Sequence, residues 1–248
     1  MTGLDGDTPV LRSPARQATV KNLITHTAGF GYWFWSERLV RWEKITGVPN
    51  VVAGSRASFT APMLADPGEA FIYGINIDWL GKVVEAVTGV GLDVAIKQGI
   101  TGPDWWAGGH GLYGPPSDYI KFERALLRGG ELDGTRILRP ETVDAAFTNQ
   151  IGDLDFPAEL PTADPASSCT FRAGPGYKWG YGLLLNTAGI PGMRRAGSGA
   201  WAGLCNTQFW IDRTAGVCGS IYSNFLPFVT PEAVRLYNDF ERALYASL

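Results

Sequence analysis

Few residues in this sequence have the type and setting for acid–base or nucleophilic chemistry, and Tyr73 stands first among them. It lies in Asp66-Pro67-Gly68-Glu69-Ala70-Phe71-Ile72-Tyr73-Gly74-Ile75-Asn76. Pro67-Gly68 predicts a tight turn, and Asn76 predicts an N-cap. The helix it would start has an apolar period on Ile77, Leu80, Val84 and Val87 and runs to Gly89. A tyrosine fixed between a turn and a helix start is held rigidly, as a proton-transfer group must be. Its phenol, with an ordinary pKa of about 10, acts as a base near neutrality only beside a positive charge. The alternative on residue type is a packed aromatic with its hydroxyl on the backbone.

Other chemistries find less support. Ser198 lies in Ala196-Gly197-Ser198-Gly199-Ala200, where alanines replace the outer glycines of a Gly-x-Ser-x-Gly elbow. The two histidines, His26 and His110, read as a helix-end residue and a loop residue. The three cysteines, Cys169, Cys205 and Cys218, have no Cys-x-x-Cys spacing and read as buried free thiols. No His/Asp/Glu cluster has ligand spacing, so neither metal nor other cofactor is expected.

The elements that must position Tyr73 follow from pattern. At 248 residues with 18% charged residues and 32 glycines, the chain suits one aromatic-rich globule with many turns. A net charge of −3 without a basic block argues against nucleic acid as a partner. No apolar run approaches the roughly 20 residues of a membrane span, and the first residues lack signal-peptide character. With the cysteine pattern, this predicts a reducing, cytoplasmic setting. The first dozen residues read as a loop. Thr19 caps a short helix with Val20, Leu23 and Ile24 on one face, and Ser36 caps another that ends near Ile45 before Gly47 and Pro49. Further helices are expected from about Leu92 to Gln98 and from Ser117 or Asp118 with Tyr119, Phe122 and Leu126 inward. Another begins at Pro140 with Val143, Ala146 and Phe147 inward. Gly152 to Pro175 reads as a long loop. Trp179 to Leu185 alternates as a strand, followed by strands from about Leu204 to Ile211 and from Val217 to Ser223. A last helix starts at Thr230-Pro231-Glu232, with Ala233, Tyr237, Phe240 and Leu244 inward. Helices followed by an antiparallel meander and a closing helix predict an α+β fold.

Taken in order, these segments resemble the serine β-lactamase and penicillin-binding-protein superfamily, and within it the family VIII carboxylesterases and class C β-lactamases. Leu23-Ile24-Thr25-His26-Thr27-Ala28-Gly29-Phe30 is similar to that group's Leu-Leu-x-His-Thr-Ser-Gly-Leu. Pro67-Gly68 through Tyr73-Gly74 resembles its Pro-Gly-x-x-x-x-Tyr-Ser stretch. Gly108-Gly109-His110-Gly111-Leu112-Tyr113 resembles its Gly-Gly-x-Gly-Leu entry to a helix. Trp201-Ala202-Gly203 sits where the lactamases have Lys-Thr-Gly and the esterases often have Trp-Gly-Gly.

The resemblance implies one β-lactamase-like domain over 1–248, with a mostly helical region at about 14–150 and the sheet meander with its closing helix at 176–248. It implies a serine hydrolase of the carboxylesterase type that cleaves a small ester through an acyl-serine. Tyr73 would be the general acid/base. The strand after Trp201-Ala202-Gly203 would flank the acyl group, with the Leu204 N–H as an oxyanion donor. Tyr32, Trp33 and Tyr113 would line the acyl pocket, or else simply pack in the core. The family's Ser-x-x-Lys is absent. Ser13-Pro14-Ala15-Arg16 comes nearest, and arginine stays protonated. The nucleophile is therefore expected outside these residues, together with N-terminal strands and a helix. Without those, a sheet edge stays open to self-association or to a companion segment. The asparagine that lactamases carry two places after the tyrosine is Ile75 here, which favours esterase over lactamase. The alternatives are an inactive relative that binds a ligand or partner, and a β-lactamase or D-amino peptidase relative.

Overall fold

The computed structural model describes residues 1–6, 8–92, 105, 107–110 and 114–248. The helix expected beyond Leu92 lies outside them. The chain forms two compact units, Met1–Tyr113 and Gly114–Leu248. Helices and antiparallel strands together make the α+β fold that the pattern predicts.

In the first unit the opening residues are a hairpin, where a loop was expected. β1 (Gly3–Asp5) pairs with β2 (Thr8–Val10), and Gly6 turns the chain at φ +57°. α1 (Val20–Ile24) has the expected Thr19 cap, closed reciprocally by Asn22. α2 (Glu37–Thr46) starts at Ser36, whose hydroxyl accepts from the Leu39 N–H, and ends at left-handed Gly47. The core packs Val51, Ile75 and Trp105 against Phe30, Tyr32, Trp33, Phe59 and Trp79.

α3 (Asn76–Thr88) ends at left-handed Gly89 as expected but differs from expectation at its start. Ile75 precedes it as the cap, without a side-chain hydrogen bond, because the Asn76 amide is engaged elsewhere. Its buried positions are Asn76, Asp78 and Gly81, while Val87 is 81% exposed. The reason is a close backbone approach. A Cβ on Gly108 would lie 2.3 Å from the Ile77 carbonyl oxygen, so glycine lets this segment lie on the helix.

In the second unit, α4 (Pro116–Leu127) begins just ahead of the expected residues and buries Glu123, Ala125 and Leu126. Tyr119 and Phe122, expected inward, are 40% and 43% exposed. The Asp133-Gly134 turn joins β3 (Glu131–Leu132) to β4 (Thr135–Arg136), and α5 (Pro140–Ala146) follows with Pro140 at its first position. The predicted loop from Gly152 contains a short hairpin, β5 (Glu159–Leu160) with β6 (Phe171–Arg172).

The sheet is an antiparallel meander in spatial order β11-β10-β9-β8-β7. The single strand expected around Trp179 is two, β7 (Lys178–Trp179) and β8 (Leu184–Asn186). The Gly180 N–H donates to the Leu183 carbonyl, and Gly182 takes φ +76°, so the alternating glycines make a turn. β9 (Ser198–Gly203) was missed because its small residues carry weak strand propensity. β10 (Thr207–Asp212) and β11 (Val217–Ile221) complete the meander.

Successive side chains point to opposite faces of this sheet. Ile211 packs with Leu126 and Val143 from α4 and α5, whereas Trp210 packs with Tyr237 of α6 (Pro231–Tyr245). Phe240, expected inward, is 42% exposed, and Glu241 is buried instead. Glu241 accepts from Arg194 Nε at 3.0 Å and Nη2 at 2.7 Å, fixing α6 to the loop before β9. β11 ends the sheet, with Tyr222, Phe225 and Leu226 exposed just beyond it.

Glu123 is the odd member of this core. Its carboxyl is fully buried, and burial, opposed only in part by the Ser220 hydroxyl, pushes its pKa from 4.5 up to about 7. A raised acid pKa favours the folded state when protonated. This contribution is therefore lost as pH rises from about 4.5 to about 7. Asp66 acts oppositely. The Arg12 guanidinium lowers its pKa to about 2, so its contribution is lost only as pH falls below the ordinary carboxylate range. Denaturant midpoints at pH 5 and pH 8 are expected to show Glu123→Gln gaining stability relative to the parent at the higher pH. An equal offset at both pH values would contradict the assignment.

Candidate functional site

The segment that carries Tyr73 is fastened at several points within the first unit. Asp66 accepts from Arg12 Nη1 at 3.0 Å and Nη2 at 2.6 Å, and from the Ala15 N–H at 3.0 Å. Gly68, at φ +85°, donates its N–H to the Thr27 carbonyl, and Ile72 donates to the His26 carbonyl at 2.8 Å. Tyr73 follows, half-buried, with its ring 4.3 Å from the His26 imidazole, 5.6 Å from Tyr32 and 5.8 Å from Trp35.

His26 is more than the helix-end residue its position suggested. It takes a left-handed φ of +54° and is buried. Its Nδ1 accepts from Asn76 Nδ2 at 3.1 Å and from the Gly74 N–H at 3.4 Å, which places the ring proton on Nε2. Burial lowers its pKa to about 3, so the ring is neutral at physiological pH. It cannot be the positive charge that a tyrosine base requires. The Asn76 amide nitrogen also lies 2.9 Å from the Phe30 carbonyl and 3.1 Å from the Ile72 carbonyl, so its two N–H groups are shared among three acceptors. Gly74 packs backbone to backbone, since a Cβ there would lie 2.2 Å from the Gly31 carbonyl carbon. His26, Gly74 and Asn76 therefore form one web around Tyr73.

Of the aromatics expected to line a pocket, Tyr32 is in ring contact with Tyr73. Trp33 begins a short 3₁₀ turn and packs with the core cluster. Tyr113 lies outside the described residues. One candidate, Asp78, escaped the sequence reading, and His110, read there as a loop residue, stands beside it. Asp78 is fully buried, and its Oδ1 accepts from the Gly109 N–H at 3.0 Å. His110 Nδ1 lies 3.8 Å from the same oxygen. An acid two places after a buried asparagine, on the apolar side of a helix, was the available signal.

In the second unit, Trp201, Ala202 and Gly203 form the end of β9, where a strand was expected to start after them. Leu204 and Cys205 lie in the turn to β10, closed by the Asn206 N–H to the Gly203 carbonyl at 3.0 Å. The Asn206 side chain holds this turn, taking φ +63° and bonding the Phe225 and Pro227 carbonyls and the Val229 N–H. A Cβ on Gly203 would lie 2.3 Å from Thr207 Oγ1, so a side chain there would turn that hydroxyl aside. The Trp201 ring stands edge-on to Trp179 at 4.6 Å. Trp201 and Ala202 border a cavity of about 700 Å³ with Gln208, Arg235 and Tyr237. Ser198 is buried inside β9, its hydroxyl accepting from Asn186 Nδ2 at 3.4 Å, so it occupies a strand and not a nucleophile elbow.

The Beta-lactamase family model matches residues 2–107. Lovastatin esterase of Penicillium rubens is 27% identical over 88% of this chain and 67% of its own length. Monacolin J acid methylbutanoyltransferase of Aspergillus terreus is 26% identical over 95% of this chain and 69% of its own. The unliganded structure of simvastatin synthase from Aspergillus terreus superposes with a TM-score of 0.76 at 26% identity, covering 99% of this chain and 72% of that one. The chain thus spans about two thirds of the length of the curated relatives it matches.

Asn76→Ala would remove the amide shared by the Phe30 and Ile72 carbonyls and leave His26 Nδ1 with the Gly74 N–H alone. An unsatisfied buried polar group costs about 1–3 kcal/mol, so a loss of about 3 kcal/mol is expected in urea denaturation. A change below about 0.5 kcal/mol, the usual size for a surface substitution, would refute the web.

Proposed function

The chain belongs to the serine β-lactamase and penicillin-binding-protein superfamily, and on that premise we propose that it carries the tyrosine half of an acyl-transferring serine hydrolase of the carboxylesterase type. The observation that carries this reading is the fastening of Tyr73 by His26, Gly74 and Asn76 in the part of the chain that the family model matches. A serine outside these 248 residues would attack the carbonyl of a small ester. Its proton would pass to the Tyr73 oxygen and then to the leaving alkoxide, and water would release the acid. The cation that Tyr73 needs must come from another residue, because its neighbour His26 stays neutral. A companion segment that brings the nucleophile would also cover the edge of β11.

A second reading is transfer of the acyl group to an alcohol instead of water. It is favoured by the relatives, since an esterase and a methylbutanoyltransferase match this chain almost equally well. Protein made from the complete gene and incubated with a short-chain aryl ester is expected to show a serine acyl adduct by intact mass. Added alcohol that yields a new ester would favour transfer over hydrolysis. Neither adduct nor turnover would reject both readings and leave an inactive relative that binds a ligand. In the active protein, Tyr73→Phe is expected to slow the chemical step about 10²–10⁴-fold with little loss of stability. Unchanged turnover would remove Tyr73 from the mechanism.

A further inference from the structure

Two tyrosines lie side by side at this site, and a cation brought near them would act on both. Tyr32 and Tyr73 have ring centroids 5.6 Å apart. What distinguishes them is a third group. The Tyr32 hydroxyl and the Asp78 carboxyl converge on Gly109, where a Cβ would lie 3.2 Å from the hydroxyl and 3.1 Å from Asp78 Oδ2. Asp78 Oδ1 is held by the Gly109 N–H, whereas Oδ2 has no hydrogen-bond partner among the described residues. Gly109 therefore serves a specific purpose. A side chain there would press on both the hydroxyl and the acid.

We infer that Asp78 divides the labour between these tyrosines, holding Tyr32 as a neutral hydroxyl and leaving phenolate chemistry to Tyr73. The inference rests on the reading of Tyr73 as the proton-transfer group. Ionising Tyr32 would place a second negative charge beside a buried carboxylate, and burial already disfavours that phenolate. The Tyr32 pKa lies well above its ordinary value because of burial first, then the Asp78 charge, then Tyr73. Asp78 is itself raised by burial, which the Gly109 N–H and His110 oppose. The other groups facing the pair do not reverse this bias. His26 is neutral, His110 is 3.8 Å from Asp78, and Glu43 lines the small recess beside Tyr32. Asp78 is on this account a positioning residue. It acts on the reaction through Tyr32.

The test is a pH titration of the chain carrying tyrosines labelled at the ring carbon that bears the hydroxyl, followed by NMR. Signals are assigned with Tyr32→Phe and Tyr73→Phe. In the parent, Tyr32 is expected to ionise after Tyr73. Asp78→Asn is expected to lower the Tyr32 midpoint by one unit or more, and Asp78→Glu to restore part of the rise. Tyr32 ionising with or before Tyr73 in the parent would overturn the inference, even if Asp78→Asn fails to fold. So would a folded Asp78→Asn protein with an unmoved Tyr32 midpoint. The titration needs no turnover, so it is separate from the Tyr73→Phe activity measurement. Full activity in Tyr73→Phe would reject the proposed function, whatever order the two phenols ionise in.

Discussion

A neutral imidazole, buried and used as a hydrogen-bond acceptor, is the constraint on which the first unit depends. His26 must stay unprotonated for Nδ1 to accept from Gly74 and Asn76, and its surroundings ensure this by withholding water. The same residue turns the backbone at φ +54° and accepts the Ile72 N–H on its carbonyl. One histidine thus joins the end of α1, the segment before Tyr73 and the first turn of α3.

The second unit achieves the same end with charge. Arg194 and Glu241 are both buried and doubly bonded, and a buried pair of this kind is costly to break by removing one partner. Asp212 works beside them, accepting from the Arg195 N–H and the Tyr245 hydroxyl, each at 2.7 Å. Together they tie α6 and the loop before β9 to the sheet. The strand that carries Trp201, Ala202 and Gly203 therefore rests on a framework of ionic and hydrogen-bonded pins as well as on its apolar faces.

Much of this was legible from residue order. Caps at Thr19, Ser36 and Thr230, glycine stops at 47 and 89, and proline starts at 140 and 231 all use local chemistry that needs no tertiary context. The same rules misread positions where distant groups compete. Asn76 is a good capping residue, yet its amide serves His26, Phe30 and Ile72. Gly180 and Gly182 sit in an alternating pattern but belong to a turn, because Gly180 lies so close to the Ala146 carbonyl that a Cβ would come within 1.8 Å of it. β9 went unseen because Ser198, Gly199 and Ala200 carry no strand signature of their own. Tyr73 stood out by its place between a turn and a helix start, a local pattern that needs no distant partner. Asp78 was hidden because a helix reading by apolar period passes over the acids that lie between.

Gly74 directly follows Tyr73, and its contact with Gly31 has a consequence for how this protein can change over time. The two main chains meet with no room for a methyl group between them. No residue can enter position 74 until the 30–31 backbone has moved away, and that movement would carry the Phe30 carbonyl from Asn76. The constraint falls on Gly74, since a Cβ on Gly31 would meet the Leu64, Leu39 and Ile72 side chains instead. Lineages that put a side chain at position 74 must re-route the Phe30–Gly31 main chain in the same step.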